Sequence, residues 1–206
     1  DSEPMYYENL PFRFDTRGII YNKRGHVYKV NLGTNKFNKI VDGDKNQIIS
    51  IGSLVESDKG IVFSYEKYNS KGTMLEEKVG SLETKKIKEI HSRGSMGNLF
   101  YYEGDLHAVG LKNRFDWPTN TSILKISRDG KVSFKDRTFD RNVVKAEVNN
   151  SVLYFLYEDS GKTLLRDGTN NIDLIDAEIT VKDFAFNNDK TYVIANSFSK
   201  PDEVYE

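Results

Sequence analysis

The chain has 206 residues, of which 37% are hydrophobic, 12% aromatic and 30% charged, a profile typical of a globular protein with a substantial core. Its 30 basic and 31 acidic residues give a net charge of −1 with no basic stripe, so the sequence argues against a nucleic-acid partner. There are no cysteines, which excludes disulfides, thiolate metal sites and thiol nucleophiles.

Apolar strands recur along the chain at a regular spacing. Five of them, each preceded by a polar turn, align on single apolar residues separated by 42, 45, 46 and 40 residues: Ile19, Ile61, Leu106, Val152 and Tyr192. A period of this length is typical of repeat architectures. The sequence therefore predicts five repeats, covering residues 5–42, 43–90, 97–135, 142–176 and 181–206.

Each repeat follows the same order of strands and turns. The first begins with "MYYENLPFRFD" (5–15), and the second contains "QIISIGSLVE", "KGIVFSY", "TMLEEKV" and "KKIKEI" in chain order. The third and fourth repeats have four such segments each, whereas the fifth stops at "EVYE", its third. Turns rich in Asp, Gly, Asn and Lys separate the segments and suit short hairpins. No segment has a sustained 3.6-residue period, so we expect few helices.

Four short antiparallel strands per repeat predict an all-β fold, a β-propeller of about five four-stranded blades in a single domain over 1–206. The stretches "GHVYKVNLGTNKFNKIV" (25–41) and "SILKISRDGKVSF" (122–134) resemble β-propellers of the YVTN, TolB and WD40 kinds, and this resemblance implies blades arranged around a ring. Two alternatives are a fragment of a larger propeller, if the chain continues past Glu206, and a β-sandwich, which needs no such period.

A candidate cation site lies at the boundary between the first two repeats. The stretch "VDGDKNQ" has the D-x-D-x-N spacing that opens a calcium loop, formed by Asp42, Asp44 and Asn46. The loop also requires Gly at the next position and Glu at the twelfth, where this chain has Gln47 and Ser53. We therefore interpret the stretch as a polar turn and expect no metal and no cofactor.

Four acidic residues lie near the first strands of their repeats, where a propeller has its central channel: Asp15, Glu103, Glu147 and Asp183. Paired carboxylates can hydrolyse glycosidic bonds by acid–base chemistry, so a carbohydrate-active enzyme is one alternative function. Short hairpins leave little room for a substrate cleft, and catalysis is therefore not our leading interpretation. Another alternative is the propeller portion of a larger peptidase-like protein.

The loop "LKNRFDWPTNTS" (111–122) is longer than its counterpart "EDSGK" in the fourth repeat. It contains aromatic and charged residues typical of binding hot spots, Arg114, Phe115, Asp116 and Trp117, and the corresponding loop of the fifth repeat contains Phe198. A structural alternative is that Trp117 folds back over a blade edge. We expect a non-catalytic binding or scaffolding module that displays these loops to a protein, peptide or glycan.

Cellular location is suggested by the composition and by the start of the chain. No apolar run approaches the roughly 20 residues needed to span a bilayer. The start "DSEPMYYENL" lacks a signal-peptide pattern, as expected of a trimmed chain, and a lipid anchor could lie outside this chain. Abundant lysine and asparagine suggest an AT-rich bacterial genome. We expect an extracytoplasmic bacterial protein that is secreted or surface-anchored.

Overall fold

We analysed a computed structural model, which describes residues 13–14, 18–19 and 24–206 apart from 58–59, 72–73, 84–85, 93, 114–119, 176–177 and 189. The chain divides into two compact units, an N-terminal unit (Asp1–Arg93) and a C-terminal unit (Gly94–Glu206). The prediction of an all-β fold is confirmed, because helix in the described part of the chain is confined to the single turn α1 (Gly43–Asn46).

The N-terminal unit contains two strand pairs and one four-stranded sheet. The pairs are β1 (Arg13–Phe14) with β2 (Gly18–Ile19), and β3 (Val27–Asn31) with β4 (Lys36–Val41). After α1 comes the four-stranded sheet of the second repeat, called the second sheet because the sheets are numbered by repeat. It consists of β5 (Ile48–Ser57), β6 (Gly60–Tyr68), β7 (Leu75–Glu83) and β8 (Lys86–His91), in that order. The core of the N-terminal unit combines residues of the β3–β4 pair and of this sheet, and includes Val27, Val41, Ile48, Phe63 and Tyr65.

The C-terminal unit contains three further sheets. The third sheet consists of β9 (Ser95–Tyr102), β10 (Asp105–Leu111), β11 (Ser122–Ile126) and β12 (Val132–Phe134). The fourth consists of β13 (Asn142–Asn149), β14 (Val152–Asp159), β15 (Lys162–Asp167) and β16 (Ile172–Asp173). The fifth has three described strands, β17 (Thr180–Asn187), β18 (Lys190–Ser197) and β19 (Lys200–Tyr205). The predicted antiparallel strands in chain order are therefore confirmed for these repeats.

Turn chemistry sets the strand order within each sheet. The β9–β10 hairpin turns at Glu103 and Gly104, whose φ values are 52° and 78°. The β13–β14 hairpin turns at Asn150 and Ser151, with φ values of 48° and 64°. Two consecutive positive φ values define the two-residue turn whose twist matches that of the flanking antiparallel strands. Each strand therefore returns beside the previous one.

The first strand of each sheet from the second to the fifth has a bulge close to its start. Pairing with the next strand skips one residue directly after a buried position, and the skipped residues are Ile49, Gly97, Val144 and Lys182. The buried residues before them are Ile48, Met96, Val143 and Val181. A bulge re-aims the side chains that follow it, so the four strands are equivalent in detail and not only in spacing.

Alternate residues of β14 pack on different neighbours, which places the fourth sheet between the third and the fifth. Phe155 and Tyr157 share one hydrophobic core with third-sheet residues such as Val109. Leu156, between them in sequence, shares a second core with the fifth-sheet residue Phe184. This alternation is expected of a strand that is covered on both faces.

Candidate functional site

A row of polar side chains joins the first strands of the sheets in the C-terminal unit. The residue after the bulge is Asn98 on β9, Lys145 on β13 and Asp183 on β17. The Ala146 amide donates a hydrogen bond to Asn98 Oδ1 at 2.7 Å, and Lys145 Nζ donates one to the Phe184 carbonyl at 3.0 Å. Equivalent positions of successive sheets therefore lie side by side, because the repeated bulge aims them at each other.

Lys145 is the centre of this row. Its Nζ lies 2.8 Å from Glu147 Oε1 and 2.6 Å from Asp183 Oδ1, and 4.7 Å from the centroid of the Phe184 ring. The hydrogen bond from Lys145 lowers the pKa of Asp183 and outweighs the opposing effect of burial. Burial works against the charged form of Lys145, but the hydrogen bonds with Asp183 and Glu147 raise its pKa. Lysine and aspartate are therefore both charged at neutral pH.

The structure brings together two of the four acidic residues considered for catalysis. Glu147 and Asp183 share Lys145, whereas Glu103 occupies the exposed β9–β10 turn. Asp15 lies outside the described residues. A general acid in a glycosidase needs a raised pKa, and the pKa of Asp183 is shifted in the opposite direction. The geometry of this pair is that of an ion-paired link between two sheets.

The loops between second and third strands are the predicted binding sites. In the fifth sheet, Ser197 pairs with Lys200, so the loop consists of Phe198 and Ser199, and the Phe198 side chain is fully exposed. In the third sheet the corresponding connection runs from Leu111 to Ser122. Its candidates Arg114, Phe115, Asp116 and Trp117 lie outside the described residues.

The stretch with calcium-like spacing forms the start of α1. Asp42 is the N-cap residue, and its Oδ1 accepts a hydrogen bond from the Asp44 amide at 3.2 Å. The Asn46 side chain donates through Nδ2 to the Asp42 carbonyl at 2.7 Å, and Asn46 therefore reinforces the turn. All three candidates thus have roles within the helical turn.

A histidine that the sequence spacing did not single out completes a possible ligand group. His26 Nδ1 lies 3.8 Å from Asp42 Oδ1, and His26 Nε2 lies 3.8 Å from Asp44 Oδ2. However, His26 Nδ1 accepts a hydrogen bond from the Gly43 amide at 3.1 Å, so the neutral ring has its proton on Nε2. A metal ion could bind either nitrogen only after that hydrogen bond or that proton was lost. The observed geometry is that of a histidine bracing the turn.

Neither a protein-family model nor a curated protein matches the chain. The candidate site therefore rests on the contacts described above. Within the part of the chain that the structure covers, no helix has the length and apolar character to cross a membrane.

Proposed function

We propose that this chain is a non-catalytic binding module whose partner, a protein, peptide or glycan, contacts the loops between second and third strands. The observation that carries the proposal is the fully exposed Phe198 at the tip of the β18–β19 loop. Covering an exposed aromatic ring with a partner lowers the free energy, because apolar surface is removed from water. Hot spots of binding are also enriched in aromatic residues and arginine. The two-residue loop places the ring at the tip of the β18–β19 hairpin.

Catalysis by the channel carboxylates is a weaker alternative for a specific reason. Lys145 neutralises both Glu147 and Asp183, and the hydrogen bond from Lys145 lowers the pKa of Asp183. An acid–base pair for glycoside hydrolysis needs one carboxyl group that stays protonated near neutral pH.

Screening for ligands, with the intact chain as the target, tests the binding proposal. A random-peptide display library and a glycan array would be screened with the wild type, and the ligands obtained would be measured against Phe198→Ala. We expect at least about a tenfold loss of affinity, as for a central aromatic contact. Leu32→Ala is a matched control, because Leu32 is also a highly exposed apolar residue at a hairpin turn.

The control should bind these ligands as the wild type does. A screen whose ligands bind wild type and Phe198→Ala equally, or a screen that yields no ligand, contradicts the proposal.

We also propose that the sheets are blades of one β-propeller of about five blades. The support is that the packing step from the third sheet to the fourth recurs from the fourth to the fifth. The cross-strand pair Val109 and Ile123 is buried, as is its equivalent Leu156 and Leu165. The next equivalent pair, Ile194 and Val204, is 40% and 70% exposed, and a ring would cover it.

Small-angle X-ray scattering distinguishes a single ring from separate bodies. A compact domain of 206 residues has a radius of gyration of about 17 Å. A value clearly above about 20 Å, at concentrations where the chain is monomeric, would contradict a single compact propeller.

The proposed location is extracytoplasmic and bacterial, as a secreted or surface-anchored protein. Its support is compositional: no cysteine and abundant lysine and asparagine. Detection of the native protein in the culture medium or on intact cells of its source, rather than in the cytosolic fraction, is the expected result.

A further inference from the structure

A cavity of about 250 Å³ lies between the third and fourth sheets of the C-terminal unit. Its floor consists of buried apolar side chains from both sheets: Ile123, Val143, Leu153 and Phe155. Phe139 closes one side, with its ring edge-on to Phe155 at a centroid distance of 5.2 Å. These side chains line the cavity together with polar residues such as Ser122 and Thr169, so the cavity suits a small ligand that has both an apolar group and polar groups.

A glycine shapes the cavity wall. Gly168 follows β15, and its amide donates a hydrogen bond to the Leu153 carbonyl at 2.7 Å. A Cβ atom at this position would lie 2.6 Å from Phe155 Cε1. The turn after β15 can therefore approach the floor closely only because residue 168 has no side chain.

The rim of the cavity presents a cation that lies near an aromatic ring. Lys135 Nζ lies 5.0 Å from the centroid of the Tyr102 ring, and Lys135 forms no ion pair with any residue that the structure describes. By contrast, Lys131 in the same β11–β12 hairpin region pairs with Asp129 at 2.9 Å. An ammonium group that forms no ion pair with the described residues, at the mouth of a cavity, attracts an anionic group of a ligand.

The neighbouring rim residue has a fixed negative charge. Asp136 Oδ1 accepts hydrogen bonds from the Thr138 amide and the Thr138 hydroxyl, both at 2.7 Å. The hydrogen bond from the Thr138 hydroxyl, followed by the one from the Thr138 amide, lowers the pKa of Asp136. Its carboxylate is therefore charged at neutral pH. The rim therefore offers opposite charges on consecutive residues above an apolar floor.

We propose that this cavity binds a free apolar α-amino acid, with its side chain on the Ile123, Val143 and Phe155 floor, its carboxylate at Lys135 and its ammonium group at Asp136. One apolar group flanked by two opposite charges is the chemistry that matches both the floor and the rim. This site is separate from the exposed loop of the proposed function, so either proposal can fail without the other.

Titration of the ¹⁵N-labelled full chain with L-leucine, followed by two-dimensional NMR, tests the site. We expect saturable shifts of amides around the cavity, such as those of Ile123, Gly168 and Thr169. The variant Lys135→Gln should weaken binding about tenfold or more, as expected for loss of a charge-assisted contact. Lys131→Gln makes the same change of charge in the same hairpin and should bind L-leucine within about twofold of wild type.

Two analogues separate the charges of the ligand. L-Leucinamide lacks the carboxylate and N-acetyl-L-leucine lacks the ammonium group, and each should bind more weakly than L-leucine. Equal binding of N-acetyl-L-leucine would overturn the assignment of a free amino acid in favour of the C-terminal residue of a peptide. The absence of saturable shifts with L-leucine or L-phenylalanine at millimolar concentration would overturn the site, as would unchanged affinity in Lys135→Gln.

Discussion

Two lysines, one in each unit, are each held by two carboxylates, and they differ in what they join. Lys78 on β7 lies 3.2 Å from Glu76 and 3.0 Å from Glu89, and all three residues belong to the second sheet. Lys145 on β13 contacts Glu147 in its own strand and Asp183 in the next sheet. The Lys78 side chain is 8% exposed and that of Lys145 is 29% exposed. One arrangement fastens strands inside a sheet, and the other fastens sheets to each other.

The difference in burial determines how much each arrangement contributes to the stability of the folded chain. Burial disfavours the charged form of both lysines, yet the hydrogen bonds that they donate to their acids raise the pKa of Lys78 and of Lys145. A buried charge that loses its partners is costly, because little water replaces them. A partly exposed charge is rehydrated at small cost. Loss of both acidic partners should therefore reduce the free energy of unfolding more for Lys78 in the second sheet than for Lys145 between the fourth and fifth sheets.

The largest loss of stability is expected from the double variant Glu76→Gln and Glu89→Gln. It leaves the buried Lys78 without a negative partner, and we expect the free energy of unfolding to fall by about 3 kcal/mol. Urea unfolding of the full chain, with hydrogen exchange of the β7 amides as a local readout, measures the change.

Adding Lys78→Met to that double variant is the control, since it removes the unpaired charge and keeps an apolar stem of similar length. Most of the lost stability should return. If the double variant is as stable as wild type, the ion pairs of Lys78 do not stabilise the second sheet.

A smaller effect is expected from Glu147→Gln combined with Asp183→Asn. Lys145 then lacks both acids but keeps access to water, so unfolding should become easier by about 1 kcal/mol. Glu206→Gln, which removes the exposed partner of Lys190, is the matched control and should change stability little. A loss as large as that of the Lys78 double variant would refute the role assigned to burial.

The smallest expected effect is on the pH dependence of stability. Asp183 has a lower pKa in the folded chain than its ordinary value of 3.8, so its contribution to stability is complete above that value and is lost as the pH falls below it. Asp183→Asn should therefore reduce the acid-induced loss of stability of the fifth sheet. Unfolding measured at pH 6 and pH 3 for both proteins gives the comparison, and parallel losses would contradict this assignment.

Much of the strand pattern was predictable from sequence because turn chemistry is local. Pairs such as Asn150 and Ser151 or Ser160 and Gly161 adopt positive φ in two-residue turns, and polar residues in such places mark hairpins. The second, third and fourth sheets therefore have the strands expected of them. The arrangement of all repeats as one ring stays a prediction.

The polar row was not predictable, because nothing local signals it. The bulged residues are as different as Ile49, Gly97, Val144 and Lys182, so no composition marks the bulge. Loops of unequal length also separate Lys145 from its equivalents, which hides their alignment. His26 was missed for a related reason: its partners Asp42 and Asp44 follow a whole hairpin later in sequence. Contacts between elements depend on packing that a single sequence does not display.

In the C-terminal unit, successive sheets meet along their first strands, with equivalent residues side by side. A nuclear Overhauser spectrum of the assigned chain is the decisive measurement of this arrangement. We predict cross-peaks between the Ala146 amide proton and the Asn98 side-chain amide, and between the Lys145 side chain and the Phe184 ring. An assigned spectrum in which both are missing, with β13 instead showing contacts to some other strand, would contradict the claim.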